Sequence, residues 1–466
     1  MIAGGPADNG GRISGARDMA TAPVLENLRA HLEACGSEPL SICVALSGGL
    51  DSTVLLHALR NLNSQSERPG LRALHVNHHL QRDAGRWQRS CAELCEHLGV
   101  DLVVRDVRVE PTAGLGLEAA ARQARYRVFA ESLAPNEYLL TAHHEDDQLE
   151  TVLLRLLRGS GVRGLGGIPA LRRLAAGWVM RPLLEVSRRE LLAYANAHRL
   201  TWIDDPSNRN TSLDRNYLRH RVVPLLRERW PASGLTVGRA ARHSEEAANL
   251  LEELASDDAA SLGATDTVDL QRLSELSAPR QRNLLRYLLS VKGIQPPTYA
   301  QLEVGLQQIT HAKHDAAPRL RWSQGEIRRY RQRLYILDFH PEDVAEALPG
   351  CLCWRAGSAV ELGAARGHLH RQPGGRIADR FYDRDLTVRF RAGGERVRLQ
   401  RTGHRQALKK LFQASGILPW MREHVPLVYC ADRLLAVADL WVEEHALAEP
   451  DERGWRVSWR DHALTR

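Results

Sequence analysis

The chain has 466 residues, 43% of them apolar, enough for a sizeable core divided over two or three domains. A formal charge of +7 permits acidic partners without requiring them, and no apolar run approaches the length of a membrane span. The first twenty residues lack the apolar centre of a secretion signal, and the seven cysteines include no Cys-x2-Cys, which argues for buried or half-buried free thiols in the reducing cytoplasm.

Residues 1–25 are expected to form a flexible extension, with Met19 as an alternative start. From about residue 40, short apolar runs alternate with longer amphipathic stretches. Strands are expected at Ile42–Leu46, Leu71–Val76, Asp101–Arg105 and Glu137–Ala142, with helices following each of them. That alternation predicts a doubly wound parallel α/β sheet over 26–228, with ligands beyond the carboxyl ends of its strands. The alternation ends near Pro224. Leucines and alanines at three and four spacing then predict a helical domain over 229–345, and short strand-like pieces a smaller α+β domain over 346–466.

Ser47-Gly48-Gly49-Leu50-Asp51-Ser52 joins the first strand to the first helix. Two glycines let the backbone come close to a ligand, and the helix N-terminus adds partial positive charge, which suits a pyrophosphate. The loop lacks the Gly-Lys-[Ser/Thr] of a Walker A motif and carries Asp51 instead. A carboxylate beside phosphates repels them unless a divalent ion lies between, so Mg²⁺ is expected at Asp51. A plain Gly-Gly turn with Asp51 as helix cap is the competing reading.

Thr141 to Thr151 closes the fourth strand and opens a helix. His143, Asp147 and Glu150 are spaced to share one face if the helix begins early enough, where they suit a metal or a cationic amine. The plainer alternative is a run of acids favoured at a helix N-terminus. Arg122 and Arg125 lie one turn apart on the third helix and, taken alone, read as a solvated basic face. Near the C-terminus, residues 385–410 hold eight basic residues against two acidic ones: Arg389, Arg391, Arg396, Arg398, Arg401, Arg405, Lys409 and Lys410. Such a concentration suits an RNA phosphate backbone. The run Arg328-Arg329-Tyr330-Arg331-Gln332-Arg333 has the same character.

Ser-Gly-Gly-x-Asp-Ser after an apolar strand resembles the N-type ATP pyrophosphatases, or PP-loop superfamily, which cleave ATP between its α and β phosphates. Further stretches resemble one member, the tRNA(Ile)-lysidine synthetase family. These are His75-Val76-Asn77-His78, Glu118 to Tyr126, the Thr141 to Glu150 segment, Arg158 to Ile168 and Arg181-Pro182-Leu183-Leu184. Asp205-Pro206-Ser207-Asn208, Arg215-Asn216-Tyr217-Leu218-Arg219 and two tail segments, Gly403–Phe412 and Ile417–Arg422, add to it. His79 departs from the pattern, standing where that family often has glycine.

The resemblance implies a ligase that uses ATP to adenylate the wobble cytidine of a CAU-anticodon isoleucine tRNA and then attaches free lysine at C2, releasing AMP. It implies that Ser47, Gly48, Gly49, Leu50, Asp51 and Ser52 hold the pyrophosphate, with Arg122, Arg125 and His143 on the nucleotide. It further implies that Asp147 and Glu150 bind the lysine ammonium, and that Arg215 and Arg219 act on phosphate or the lysine carboxylate. Neither membrane nor DNA is among the implied partners. A sulfur-inserting tRNA enzyme of the same superfamily is disfavoured where it needs paired reactive cysteines. The intact Asp51, His143, Asp147 and Glu150 argue against a non-catalytic RNA- or nucleotide-binding protein.

Overall fold

The computed structural model describes residues 10–35, 41–63, 70–79, 83–109, 117–313, 316–338, 350–363, 366–400 and 404–462. They form two compact units, divided at residue 251. Among the described residues no helix is long and apolar enough to cross a membrane.

The first unit opens with α1 (Gly10–Ala34), so most of the expected flexible extension is helical. Val24, Leu28 and Leu32 recur at helical spacing and are buried, which gives the segment a core-facing stripe and a reason to be ordered. There follow β1 (Ile42–Ala45), α2 (Leu50–Asn63), β2 (Leu71–Asn77), α3 (Ala84–Leu98), β3 (Asp101–Asp106), α4 (Leu117–Ser132), β4 (Tyr138–Leu140) and α5 (Glu145–Leu157). The expected strands and helices all appear. Short α6 (Val162–Leu165) then precedes β5 (Leu171–Leu174) and β6 (Gly177–Met180), and α7 (Arg188–Ala197) comes next. Strand order is β3-β2-β1-β4-β6-β5, parallel except for the edge strand β5. The chain moves outward from β1 through β2 to β3, then returns to the other side of β1 at β4. The carboxyl ends of β1 and β4 therefore flank the crevice at the topological switch point.

One salt bridge ties this arrangement together. Arg72 on β2 donates Nε and Nη2 to the two carboxylate oxygens of Glu137, at 2.7 and 2.6 Å. Glu137 also accepts from the Ala134 amide at 3.0 Å. It sits just ahead of β4 and is 1% exposed. Burial works against its charge, but the guanidinium and amide donors outweigh burial and hold its carboxyl below the usual range.

His79, the departure from the glycine pattern, adopts φ +53°. Its amide donates to Asn77 Oδ1 at 3.0 Å and its Nε2 lies 2.7 Å from Asp106 Oδ1, so local bonds hold a left-handed conformation that glycine takes without cost.

The unit ends with α8 (Asp214–Tyr217), a π-helical turn (Leu218–Val222), α9 (Val223–Arg229) and the first part of α10 (Ser233–Leu262).

The second unit begins with more strand than its leucine pattern suggested. Besides α11 (Leu270–Glu275), α12 (Ala278–Val291) and α13 (Tyr299–His311), it contains β7 (Thr267–Asp269), β8 (Arg319–Trp322), β9 (Gly325–Tyr330) and β10 (Arg333–Leu337). These form an antiparallel sheet in the order β7-β10-β9-β8. The helices supply Leu284, Leu288, Leu302 and Leu306, which pack on Ile327 and Leu334 of the sheet. The expected boundary near 345 lies outside the described residues.

The rest of the unit is mainly strand: β11 (Leu352–Trp354), β12 (Val360–Glu361), β13 (His368–Ala378), β14 (Leu386–Arg389), β15 (Arg396–Arg398) and β16 (Arg405–Ala407), then α14 (Leu408–Ala414). It closes with β17 (Leu427–Cys430), β18 (Arg433–Val437), β19 (Trp441–Val442) and β20 (Gly454–Arg460). Trp354, Trp455 and Phe412 are buried at its centre. All seven cysteines are free thiols; Cys351 and Cys353 are exposed rather than buried, because they flank Leu352 on the edge strand β11.

Candidate active site

The loop from Ser47 to Ser52 is pinned from within. The hydroxyls of Ser47 and Ser52 lie 3.0 Å apart, and Ser52 also donates to the Gly49 carbonyl at 3.1 Å. Gly48 has φ +84°, and an added Cβ would sit 2.6 Å from Ile203 Cδ1. Ile203 also donates its amide to the Gly48 carbonyl at 2.9 Å, so the segment after α7 lies directly on the loop. Leu50 turns its side chain into the core.

Asp51 opens α2. Its Oδ1 is buried without a hydrogen-bond partner among the described residues, and Oδ2 lies 3.7 Å from His144 Nε2 and 3.9 Å from Arg188 Nη1. Burial pushes its carboxyl above the usual range, with His144 and Arg188 opposing. An orphaned carboxylate oxygen at a phosphate loop fits Mg²⁺, which binds through one or two carboxylates plus substrate phosphates. Among the described residues no group of three or more His, Cys, Asp and Glu side chains is placed to hold a metal without a substrate.

His143 precedes the helix rather than sharing its face, because α5 begins at Glu145. His144 caps it: its Nδ1 accepts from the Asp146 amide at 3.2 Å, and Asp147 Oδ2 accepts the His144 amide at 3.1 Å. His143 Nδ1 instead lies 2.8 Å from Thr141 Oγ1. Burial lowers its pKa to about 3, with Arg181, Arg122 and Arg215 adding to the effect and Asp147 opposing it. The imidazole is neutral at physiological pH.

Asp147 and Glu150 do share a face, and Arg215 and Arg219 reach it from α8 and the π turn. Arg215 donates Nη2 to Asp147 Oδ1 and Nε to Glu150 Oε2, both at 2.8 Å. Arg219 donates Nε to Glu150 Oε1 at 2.6 Å and Nη2 to Asp147 Oδ1 at 3.2 Å. Two carboxylates and two guanidiniums thus form one neutral cluster, with Glu150 only 1% exposed. Burial alone would raise the Asp147 carboxyl, but His144, Arg215, His143 and Arg219 hold it well below its usual range.

Glu145 and Asp146, which belong to the run of acids at the helix start, are buried and clasped by Arg227, whose Nη1 donates to Asp146 Oδ2 at 2.7 Å. A cleft of about 420 Å³ opens here, lined by Asp146, Glu150, Arg188, Arg209, Arg219 and Arg227 among others. His144, Arg188, Ile203 and Arg227 also belong to the site, though the sequence patterns above do not single them out. Only Arg188 had a usable signal, since Ser187-x-x-Glu190 is a capping box that places Arg188 at the helix start.

Arg122 and Arg125 diverge. Arg122 lies over the Tyr126 ring at 5.0 Å and contributes to the field at His143. Arg125 acts on His78 at the end of β2, whose pKa falls to about 4 through burial first and then this charge.

In the second unit the basic run is uneven. Arg389 pairs with Asp432 at 3.1 Å, Arg391 with Glu395 at 3.5 Å and Arg398 with Glu444 at 2.7 Å. Arg396, Arg405, Lys409 and Lys410 are exposed on the β15–β16 hairpin and α14, with no carboxylate in ion-pair distance among the described residues. Arg401 lies outside the described residues. In the earlier run, Arg329 is buried and spent on the carbonyls of Ile309 and Ala312, at 2.9 and 3.0 Å. Arg331 and Arg333 remain exposed.

A pinned glycine loop at the switch point of a parallel sheet, with an orphaned aspartate at its helix start, defines a nucleotide-using α/β domain of the PP-loop class. The family model described as a PP-loop domain matches residues 22–226. Those for the TilS substrate binding domain and the TilS substrate C-terminal domain match 269–335 and 386–459. A tRNA(Ile)-lysidine synthase of Alkalilimnicola ehrlichii is 43% identical over 449 residues, covering 95% of this chain and 99% of its own. Enzymes of the same name from Coxiella burnetii and Pseudomonas aeruginosa are 39% and 42% identical, covering 90% of this chain and 92% of their own. The chain belongs to the tRNA(Ile)-lysidine synthase family.

Proposed function

We propose that this enzyme ligates free lysine to C2 of the wobble cytidine in CAU-anticodon tRNA(Ile), using ATP and releasing AMP and pyrophosphate. In the first half-reaction the cytidine O2 attacks the α-phosphorus and the bond to pyrophosphate breaks. In the second, a neutral lysine amine attacks C2, AMP leaves with O2, and the amine loses a proton. The reading is carried by one juxtaposition: the Asp147–Glu150 carboxylates lie beside the phosphate loop, linked to Asp51 through His144.

The loop amides and the α2 N-terminus would receive the pyrophosphate. Mg²⁺, held by Asp51 together with the phosphates, would offset charge on the polyphosphate. Neutral His143 would contact the nucleotide as a hydrogen-bonding group rather than as a cation, with Arg122 helping to keep it neutral. Asp147 and Glu150 would bind the lysine ammonium, and one of them would accept the proton that makes the amine nucleophilic. Arg215 and Arg219, released from those carboxylates, would bind substrate phosphate or carboxylate. Exposed Arg396, Arg405, Lys409 and Lys410 would position the tRNA through its backbone, and catalysis would take place in the cytoplasm.

AMP release is measured with ATP and lysine, with and without a CAU-anticodon tRNA(Ile) transcript. AMP that requires both lysine and RNA, with lysine attached to the RNA, supports the reading. Asp51→Asn should reduce turnover by about 10²-fold or more, the scale of losing one key electrostatic group. AMP formed without lysine dependence would leave an ATP pyrophosphatase with a different substrate.

A further inference from the structure

Arg181 follows β6 directly and belongs to the Arg-Pro-Leu-Leu stretch that the mechanism above leaves without a role. It is 2% exposed. Its Nη1 donates to the Pro169 carbonyl at 2.7 Å and Nη2 to the Tyr126 phenol oxygen at 3.2 Å. Nε is buried with no partner among the described residues. Arg122 and Arg172 bring their guanidinium carbons 5.0 and 5.2 Å from the centre of the same Tyr126 ring. Arg155 adds a further charge that acts with Arg122. Among the described residues no carboxylate lies in ion-pair distance of these four arginines.

Packing of guanidiniums on an aromatic ring is ordinary. Gathering this many without a counter-charge, one of them almost wholly buried, is costly unless an anion completes the group. Burial depresses both the Arg181 and Arg155 guanidiniums; Arg122 adds to it at Arg155, and at Arg181 the Tyr126 oxygen opposes it while Arg172 and Arg122 add to it. Burial tends to raise the Tyr126 phenol, but Arg181, Arg122 and Arg172 overcome it and bring it below its usual range, so negative charge is favoured at this spot.

Position selects the anion. β6 pairs with β4, and β4 with β1, so the end of β6 lies two strand spacings, about 10 Å, from the strand that carries the phosphate loop. His143 stands between, at the end of β4, and feels both Arg181 and Arg122. A polyphosphate seated on the loop would occupy the β1 side, which leaves the β6 side for the other substrate. We propose that Arg122, Arg172 and Arg181, gathered around Tyr126, form a phosphate subsite for a backbone phosphodiester of the RNA next to the reacting nucleotide. The proposal rests on the reading of this enzyme as acting on RNA.

Arg172 is exposed on the edge strand β5, so its replacement leaves the core intact. Binding of a fluorescein-labelled CAU anticodon stem–loop to the full chain is titrated over a range of salt, and the KM for ATP is measured in parallel. Arg172→Ala should weaken RNA binding about fivefold at low ionic strength and lower the slope of log K against log salt by about 0.7, the value for one single-strand phosphate contact. Arg172→Lys should keep the slope, and the KM for ATP should not move in either variant. An unchanged RNA affinity and slope in Arg172→Ala overturns the proposal. So does a raised KM for ATP with RNA binding intact, which would assign the group to the nucleotide. If the unmodified protein binds no RNA, the functional reading itself fails, and the comparison of variants is not needed to see it.

Discussion

Asp147 and Glu150 are matched charge for charge by Arg215 and Arg219, so a lysine ammonium cannot simply enter an open acidic site. Adding a cation to the neutral cluster leaves an unbalanced positive charge in a poorly hydrated place, unless a guanidinium finds another anion. RNA phosphate is such an anion. Lysine affinity should therefore rise about tenfold or more when tRNA is bound, a coupling of at least about 1.4 kcal/mol, with the reciprocal effect on tRNA. Calorimetric titration of lysine with and without tRNA measures it directly; equal affinities would mean that the arginines stay in place. His143 is neutral for a different reason, burial among arginines that hold its pKa near 3. Its ring protons should show no titration by NMR between about pH 5 and 8, where an ordinary histidine changes charge.

The phosphate loop is shaped by its φ +84° glycine and by the Ile203 side chain packed against it. Gly48→Ala meets both a backbone penalty and a steric one, and should destabilise the protein by about 1–3 kcal/mol while weakening ATP binding. Denaturant titration and nucleotide binding report the two effects separately. The sheet offers a test with pH. Glu137 is depressed by its bonds to Arg72 and the Ala134 amide, so its contribution is fully present above the unfolded carboxyl range of about 4.3 and fades as pH falls through the lower folded value. Glu137→Gln should cost about 3 kcal/mol near neutral pH, the scale of breaking a buried pair, and clearly less in strong acid. A pH-independent difference between the two proteins would place the stabilisation outside the ion pair.

Across the whole chain, the eight-residue basic run reduces to Arg396, Arg405, Lys409 and Lys410 once internal pairing is counted, Arg401 lying outside the described residues. Lys409 and Lys410 are exposed on α14 beside buried Leu408, so they can be replaced without touching the core. The double variant Lys409→Ala/Lys410→Ala should bind tRNA more weakly, with a salt slope reduced by about 1–2. Activity on a minimal anticodon stem–loop should change much less than activity on full tRNA, if the tail grips a distant part of the molecule. Equal losses on both substrates would instead place these lysines near the anticodon.

The sequence by itself determined the parallel sheet, the phosphate loop and the acidic helix start, because local periodicity and turn chemistry act over a few residues. Ser47 to Ser52 was legible for that reason, and so was the pairing of Asp147 with Glu150 on one face. Residues joined by long-range contacts were not legible. The extension before residue 25 needed the buried stripe of α1 to become a helix, and the helical reading of 229–345 missed β7, whose partner β10 is remote in sequence, along with the tightly turned β8, β9 and β10. Tertiary structure alone decided that His144, the cap of α5, faces Asp51, and that Arg227 clasps acids 81 and 82 residues away. It also decided that Arg181 comes to rest on Tyr126 across 55 residues. The physical reason is common to all three: charge pairing and burial depend on which surfaces meet, and that is settled only when the sheet closes its core.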